Sequence, residues 1–376
     1  MSLAVRTEVL RQLGATPDQS IELLAYNEAG FKVPAQLPTL PLPDEPFVAA
    51  WADYLEDARQ RGAVPALRNR LRQFCFPVAS GISQTPEYVA ATRRGIVPGS
   101  GPGLVFGAPQ RIRLFLHPTL AGRIPVLRFE HRDDFVASVR ALTKRNEPMD
   151  VPEAQGALMV AGYNNWDRID RLRILFERGD LEAEGAREWG DVFRAVRERR
   201  ELYQDCFILL SVGPYSAVRA RDFGLSDREW RRLSDVIRLE HECAHYVTRR
   251  VFGTLGKGLH GELIADYTGI TAAVGRFRAD WFLRFMGLED PTQYRRGGRL
   301  ERYRGSPPLS DGAFTVLQHL VRRAAQTVEA VDRMVVARCD ERARRIRLML
   351  ALSVVTLEEL AGERGAHALY AQCSNR

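Results

Sequence analysis

The sequence predicts an α+β fold that is predominantly helical and contains a small mixed sheet. Two observations lead to this prediction. Short apolar segments, some of which alternate between apolar and polar residues as β-strands do, lie between residues 111 and 211. From residue 226 onwards the apolar residues recur mainly at spacings of three and four, as on one face of an α-helix. A chain of 376 residues with 45% hydrophobic content can bury the core of one large or two modest domains.

The first 110 residues are predicted to form a helical and loop region. Residues 1–30 suggest a short helix followed by a polar segment. Five prolines within residues 34–46 indicate an extended connector. Helices are expected over residues 47–60 and 66–73, and the Gly and Pro residues of 95–107 indicate a loop.

Residues 111–275 are predicted to form the core that carries the candidate site. Residues 111–117 and 124–129 alternate well enough to form a β-hairpin. The short apolar segments 156–161 and 207–211 are candidates for buried or edge strands. Two helices are expected between these strands, over residues 166–177 and 183–200.

Residues 276–376 are predicted to form a helical C-terminal region. Helices are expected over residues 278–287, 310–338 and 340–363. The three regions are also compatible with one continuous domain.

A single long helix is predicted from residue 226 to Gly253. Ser226 and Glu229 form a capping-box pattern, and no Gly or Pro interrupts the segment before Gly253. Its apolar residues recur at threes and fours and so form one buried stripe. These residues are Trp230, Leu233, Ile237, Ala244, Val247 and Val251.

Residues 241–245 of this helix read His-Glu-Cys-Ala-His. On an α-helix His241 and His245 are one turn apart, so both imidazoles can reach one metal ion. Glu242 is placed to approach a metal-bound water without being a ligand itself. Cys243 points away from the metal-binding face and is predicted to lie in the core.

A glutamate that can complete the metal site lies seventeen positions after His245. Glu262 begins a second predicted helix and can supply a carboxylate ligand, which leaves the fourth position open for water. Asp266 lies one turn further on the same face. From there it can accept the free ring N–H of a ligating histidine, which fixes the tautomer of that histidine.

At these residues the chain resembles the gluzincins, the thermolysin-like zinc metallohydrolases. Their pattern is His-Glu-x-x-His followed by a glutamate on a later helix, with an acid four residues further on. The resemblance covers about residues 226–275. It implies a zincin-like fold in which Zn²⁺ is bound by His241, His245 and Glu262, with Glu242 as the general base and Asp266 behind the ligands.

The resemblance implies a hydrolase that cleaves an amide or peptide bond of a peptide or small-molecule substrate. Zincin-like folds also place an edge strand before the active-site helix, and residues 207–211 are the candidate for that strand. Candidate donors to the developing oxyanion are His260, Tyr303, Arg299 and Arg238. Of these, we expect His260 and Tyr303 to be catalytic.

Two other functions are compatible with the same residues. One is a metalloenzyme that acts on a small molecule without cleaving a peptide bond, including an iron oxygenase with two histidines and one carboxylate. The other is a non-catalytic module in which the metal only joins two helices. Glu242 argues against this module, because a structural site has no use for a base. A di-iron bundle is disfavoured because the sequence holds no second Glu-x-x-His.

The overall composition argues against nucleic-acid and membrane partners. The net charge is +7, but basic and acidic residues are interleaved, as in residues 340–345, which is typical of solvated helix faces. The densest basic cluster, residues 295–304, is predicted to be an exposed loop, with contact to an anionic substrate group as the alternative. No apolar run approaches the roughly 20 residues of a membrane helix.

A cytoplasmic location is expected. The first residues lack the apolar stretch of a signal peptide, and the five scattered cysteines suggest reduced thiols. Two further interpretations concern isolated residues. Asn165 is predicted to cap a helix, with a substrate contact as the alternative. Four isolated histidines are predicted to be surface or core residues: His117, His131, His319 and His367.

Overall fold

The structure is a computed structural model that describes residues 2–27, 31, 37–99, 101–181, 188–254, 258–336 and 341–374. Within these ranges the chain forms fifteen α-helices and four β-strands. The predicted fold class, α+β and predominantly helical with a small mixed sheet, is therefore confirmed. The elements in chain order are α1 (Leu3–Gln12), α2 (Pro17–Tyr26), α3 (Phe47–Arg61), α4 (Ala63–Arg68), α5 (Pro86–Arg94), β1 (Ile112–Thr119), β2 (Gly122–Phe129), α6 (Arg132–Thr143), β3 (Ala157–Asn164), α7 (Trp166–Arg178), α8 (Trp189–Glu198), β4 (Gln204–Ser211), α9 (Asp227–Phe252), α10 (Leu259–Val274), α11 (Ala279–Met286), α12 (Asp311–Val336), α13 (Glu341–Leu352), α14 (Leu357–Ala361) and α15 (Gly365–Ser374).

The chain forms two compact units, one of residues 39–213 and one that combines residues 1–38 with 214–376. The sheet and the helices α9 and α10, which the sequence analysis placed together in residues 111–275, therefore belong to different units. In the unit that combines residues 1–38 with 214–376, residues near the N-terminus form hydrogen bonds with a residue near the C-terminus. Arg6 and Asn27 both donate to the buried Glu358, at 3.1 and 2.8 Å. Such long-range contacts leave no local signal in the sequence.

The unit of residues 39–213 contains a mixed sheet with the strand order β1-β2-β4-β3. The predicted hairpin is confirmed, since β1 and β2 pair antiparallel from Ile112↔Phe129 to Thr119↔Gly122. β4 runs parallel to β2 and antiparallel to β3. Both short apolar segments are therefore strands, as expected.

The expectation that residues 207–211 form an edge strand is wrong. β4 lies between β2 and β3, so both of its edges are paired, and the edge strands are β1 and β3. Residues Asp205–Ser211 of β4 are all buried. The apolar run Phe207–Leu210 has no alternation because both faces of the strand are covered. The missing alternation is typical of a central strand, and it was the signal in the sequence against an edge position.

Most helices begin and end near the predicted residues, but four were not anticipated. α2 lies where a polar segment was expected to follow one short helix, and Thr16 and Gln19 begin it with a capping box. α5 and α6 lie in segments without a prediction, although the buried Phe135, Val139 and Leu142 of α6 have helical spacing. The predicted C-terminal helix over residues 340–363 is divided into α13 and α14, and α15 follows. Several predictions extend outside the described residues, at 28–30, 34–36, 100, 183–187, 255–257, 337–338 and 340.

The helix α9 follows the predicted bounds closely. Ser226 and Glu229 form the capping box, with hydrogen bonds in both directions between the side chain of one and the backbone of the other. Gly253, with φ of 70°, ends the helix in the left-handed conformation that glycine adopts without strain. Cys243 is buried, as expected.

The helices α9 and α10 approach each other closely at Gly269. A Cβ atom on Gly269 would lie 2.5 Å from the carbonyl oxygen of Ile237. Ile237 is one turn before His241, and Gly269 is three residues after Asp266. The glycine therefore brings the two helices together next to the residues of the candidate site. Among the described residues, no helix is both long and apolar enough to cross a membrane.

Candidate metal centre

Three side chains of α9 and α10 converge on one point. The Nε2 atoms of His241 and His245 are 3.2 Å apart. The carboxylate of Glu262 faces both rings, with Oε2 at 3.5 Å from His241 Nε2 and Oε1 at 3.5 Å from His245 Nε2. Among the described residues, His241, His245 and Glu262 form a group that could hold one metal ion. One ligand atom of each side chain lies within 4.8 Å of those of the other two.

These separations agree with the ligand spacing of a tetrahedral zinc site. For Zn–N and Zn–O bonds of about 2.0–2.2 Å, ideal tetrahedral geometry puts neighbouring ligand atoms about 3.3–3.6 Å apart. The three observed distances, 3.2, 3.5 and 3.5 Å, are close to that range. The donor set of two imidazoles and one carboxylate is also that of a catalytic zinc site with a free fourth position. The two 3.5 Å distances reach different oxygens of Glu262, and one ligand atom of each residue lies within 4.8 Å of the others, so the residues fit a zinc ion after a small turn of the carboxylate.

Asp266 orients His241 as expected for a carboxylate behind a ligating histidine. Its Oδ1 lies 2.9 Å from Nδ1 of His241, and both side chains are buried. A carboxylate accepts hydrogen bonds only, so Nδ1 carries the proton in this pair. In the neutral imidazole this leaves the lone pair on Nε2, the atom that faces His245 and Glu262. Asp266 thus selects the tautomer that can bind a metal.

Tyr215 is a residue of the site that the sequence analysis missed. Its hydroxyl donates to Asp266 Oδ1 at 2.6 Å and lies 2.9 Å from His241 Nδ1. Tyr215 is in the short 3₁₀ helix Tyr215–Ala217, which precedes α9. Burial and the neighbouring Asp266 raise the pKa of Tyr215 well above its ordinary value, so the phenol remains a donor.

Arg299 completes the hydrogen-bond network that connects Asp266, His241 and Tyr215. Its Nη2 donates to Asp266 Oδ2, and its Nη1 donates to the hydroxyl of Tyr215 at 2.9 Å and to Ser216 Oγ at 3.2 Å. Arg299 Nη2 is also 3.9 Å from Glu262 Oε2. The sequence analysis named Arg299 as a donor to substrate, but these contacts place its guanidinium on the protein's own carboxylates.

The local charges keep both carboxylates ionised. Burial alone raises the pKa of Glu262, but the hydrogen bond from His245 and the charges of His241 and Arg299 outweigh it and hold that pKa well below its usual range. The pKa of Asp266 is lowered in the same way: burial is opposed first by Arg299 and then by His241. The centre therefore offers a metal two anionic groups, one as a ligand and one behind a ligand.

Tyr303, predicted to be catalytic, lies at the centre. Its side chain is hydrogen-bonded to Glu262, and burial together with the charge of that carboxylate raises its pKa. The short 3₁₀ helix Arg299–Tyr303 carries both Arg299 and Tyr303. It is held in place by Tyr26, whose hydroxyl donates to the Tyr303 carbonyl at 2.7 Å.

His260, the other predicted catalytic donor, is directed elsewhere. Its Nε2 donates to the carbonyl of Leu352 at 2.8 Å, and its ring packs edge-on against Phe31. Burial lowers the pKa of His260, which favours the neutral ring. The reason lies in helix geometry, because residues two apart, such as His260 and Glu262, project from nearly opposite sides of a helix. The expectation of a catalytic His260 is not supported by its position.

The remaining candidates have structural partners. Arg238 lies 3.8 Å from Asp235 and donates to the carbonyl of Pro214 at 3.1 Å, so it anchors the segment before Tyr215. Asn165 caps α7 by accepting from Asp167 N at 3.1 Å, as the capping interpretation expected. Glu242 is half-buried on α9, beside His241.

The basic cluster of residues 295–304 is largely neutralised by the protein's own acids. Arg295 pairs with Glu289 at 2.6 Å and Arg304 pairs with Asp311 at 2.5 Å. The expectation of an exposed loop holds for Arg296 and Arg302 but not for the buried side of the 3₁₀ helix. The four isolated histidines His117, His131, His319 and His367 lie outside the metal-binding group.

The chain belongs to DUF7005, a family of unknown function whose model matches residues 8–364. None of the curated proteins and none of the solved structures matches the chain.

Proposed function

We propose that this protein is a zinc-dependent hydrolase that cleaves an amide or peptide bond, with Glu242 activating the attacking water. The observation that carries the proposal is the spacing of His241 Nε2, His245 Nε2 and the Glu262 carboxylate, 3.2–3.5 Å, which suits the ligands of one tetrahedral zinc ion. Asp266 supports it because it leaves Nε2 of His241 free to bind.

A zinc ion held by these three residues supplies a Lewis acid and makes water at the centre more acidic. The residues of the chain perform the remaining steps. Glu242 takes the proton from the attacking water and delivers it to the leaving nitrogen. Tyr303, whose raised pKa keeps its hydroxyl protonated, is the candidate donor to the developing negative charge on the substrate oxygen once it releases its hydrogen bond to Glu262.

The proposal extends to the type of substrate and the compartment. The substrate is a peptide or a small-molecule amide, and nucleic acid is not expected as a partner because many arginines are paired with acids of the chain. We propose a cytoplasmic protein, since Cys75, Cys206, Cys243 and Cys373 form no disulfide bond. Cys339 lies outside the described residues.

The first experiment tests the metal. Elemental analysis of purified protein should return one zinc per chain, and the double variant His241→Ala/His245→Ala should contain none. A matched double variant, His319→Ala/His367→Ala, removes two histidines outside the centre and should keep the zinc. Iron with redox-active spectra would replace the hydrolase with an oxygenase, and equal metal in both double variants would reject the centre.

The second experiment tests the role of Glu242. Activity is first sought with libraries of peptides and small amides and must be lost on chelation. Glu242→Gln should keep the zinc and abolish turnover, because an amide cannot accept the proton. Glu240→Gln, two residues earlier on α9, removes the same charge and should keep both. Loss of zinc from Glu242→Gln would make Glu242 a ligand, and full activity in that variant would exclude it as the base.

A further inference from the structure

A cavity of about 360 Å³ in the unit of residues 39–213 combines aromatic rings with arginines. Its lining comes from α7, α8 and the C-terminal end of α5, and it includes three aromatic side chains and three guanidinium groups. These side chains are Trp166, Trp189, Phe193, Arg93, Arg94 and Arg173. Ligand-binding sites begin at about this volume.

The three aromatic rings form a layered and partly exposed surface. The ring of Phe193 is tilted by 28° against Trp166 and by 33° against Trp189, with centroids 6.2 and 6.1 Å apart. All three side chains are half-buried. The other three tryptophans of the chain are buried, with exposures of 0–4% (Trp51, Trp230 and Trp281). Two half-exposed tryptophans in one cavity leave ring surface for a planar partner to stack on.

Trp166 is fixed in position before any ligand arrives. Its Nε1 donates to the carbonyl of Thr92 at 2.8 Å. Its ring lies against the backbone of Gly95, where a Cβ atom would be 2.3 Å from the ring. Gly95 also has a φ of 71°, which other residues adopt only with strain. A ring held in this way loses little entropy when a ligand stacks on it.

The cavity also carries positive charge that the protein does not use. Arg93 and Arg94 are exposed, and among the described residues neither makes an ion pair or a hydrogen bond through its side chain. A position at the end of α5 favours basic residues, but it does not explain why they face an aromatic cavity. The acid in the lining, Asp170, is already neutralised by Arg72 at 2.7 Å.

We propose that this cavity binds a small ligand in which a planar aromatic ring carries an anionic group. The ring packs against the parts of Trp166 and Trp189 that remain exposed beside Phe193 and Gly95, and the anion is bound by Arg93 and Arg94, whose guanidinium groups match phosphate and carboxylate oxygens. A nucleoside monophosphate and an aromatic carboxylate share this chemistry. The site is independent of the metal centre and of the function proposed for it.

Tryptophan fluorescence reports on this cavity, because a ligand in contact with Trp166 and Trp189 quenches their emission, whereas the other three tryptophans are buried. Titration with adenosine monophosphate and with benzoate tests the two sources of the chemistry. Saturable quenching by either supports the site, and the tighter one identifies the source. The neutral counterparts adenosine and benzamide should bind at least about tenfold more weakly, as should inorganic phosphate alone.

The double variant Arg93→Ala/Arg94→Ala should weaken binding at least about tenfold. The matched double variant Arg111→Ala/Arg113→Ala removes two exposed arginines elsewhere in the same unit and should bind as the wild type does. Trp189→Leu should weaken binding while the circular dichroism spectrum stays unchanged. The proposal is overturned if neither anion binds at millimolar concentration, if adenosine binds as tightly as its monophosphate, or if both arginine variants lose affinity equally.

Discussion

Replacing Gly269 by alanine tests whether the close approach of α9 and α10 builds the metal centre. The new methyl group would lie 2.5 Å from the carbonyl oxygen and 3.2 Å from the carbonyl carbon of Ile237. Ordinary contact begins at 3.4 Å, so the helices would have to separate by about 0.9 Å along this direction. Neither atom can rotate away, because both belong to the backbone of α9.

The expected magnitude follows from the tolerance of a zinc site. Ligand distances in such sites hold to within about 0.2 Å, and His241 and Asp266 lie within one turn of the contact on their respective helices. A separation of this size moves Glu262 away from the histidines, so zinc affinity should fall at least about tenfold, the lower limit for lost supporting contacts. Overpacking costs about 1–3 kcal/mol and alanine regains about 1 kcal/mol of helix propensity, so the net loss of stability is about 0–2 kcal/mol.

The measurement is a zinc competition titration against a chelator, together with thermal unfolding of the zinc-free protein. Gly190→Ala in α8 is the matched control, because its new methyl group would meet only the flexible side chain of Glu188 at 3.4 Å. That variant should bind zinc normally and unfold at the same temperature or slightly higher. Wild-type zinc affinity in Gly269→Ala would refute the reasoning, since it would mean that the centre does not depend on this contact.

Three further predictions concern the centre. Glu262→Ala should abolish tight zinc binding, whereas Asp266→Asn should loosen the ion by about 10–100-fold; the reverse order in a competition titration would exchange their roles. Tyr215→Phe should lower the free energy of unfolding by about 1–3 kcal/mol, because Asp266 and Arg299 lose a buried partner, and an unchanged denaturation midpoint would count against the network. Zinc affinity should fall as the solution is acidified, because protons compete with the metal for the imidazole nitrogens, and an affinity independent of pH would contradict ligation by His241 and His245.

The part of the site that the sequence predicts is the part with local signals. Ser226, Glu229 and Gly253 mark the two ends of α9, and the spacing of His241 and His245 then follows from helix geometry. Glu262 and Asp266 needed only one further assumption, that a second helix begins near Glu262. These residues meet in the structure as the pattern predicts, although the metal itself stays a prediction.

The part that the sequence did not predict depends on contacts between distant segments. Tyr215 and Arg299 are 84 residues apart, yet they share a hydrogen bond beside Asp266. No spacing rule connects a residue before α9 with one after α11. The error about β4 has a different cause, since the edge position was inferred from the resemblance to zincin-like folds, whereas the run Phe207–Leu210 lacks the alternation of a strand with one exposed face.

The turn that carries Tyr215 shows how such a segment is determined. Ser216 and Ala217 have φ values of 51° and 56°, a left-handed conformation that costs non-glycine residues about 1–2 kcal/mol each. Contacts on both sides offset this cost, because Tyr215 N donates to Ser234 Oγ at 3.0 Å and Arg299 donates to Ser216 Oγ at 3.2 Å. Since Ser234 is on α9, the helix that carries the two histidines also determines where the Tyr215 hydroxyl meets Asp266. The two histidines and the Tyr215 part of the network behind them are therefore positioned by one helix, although only the histidines can be read from its sequence.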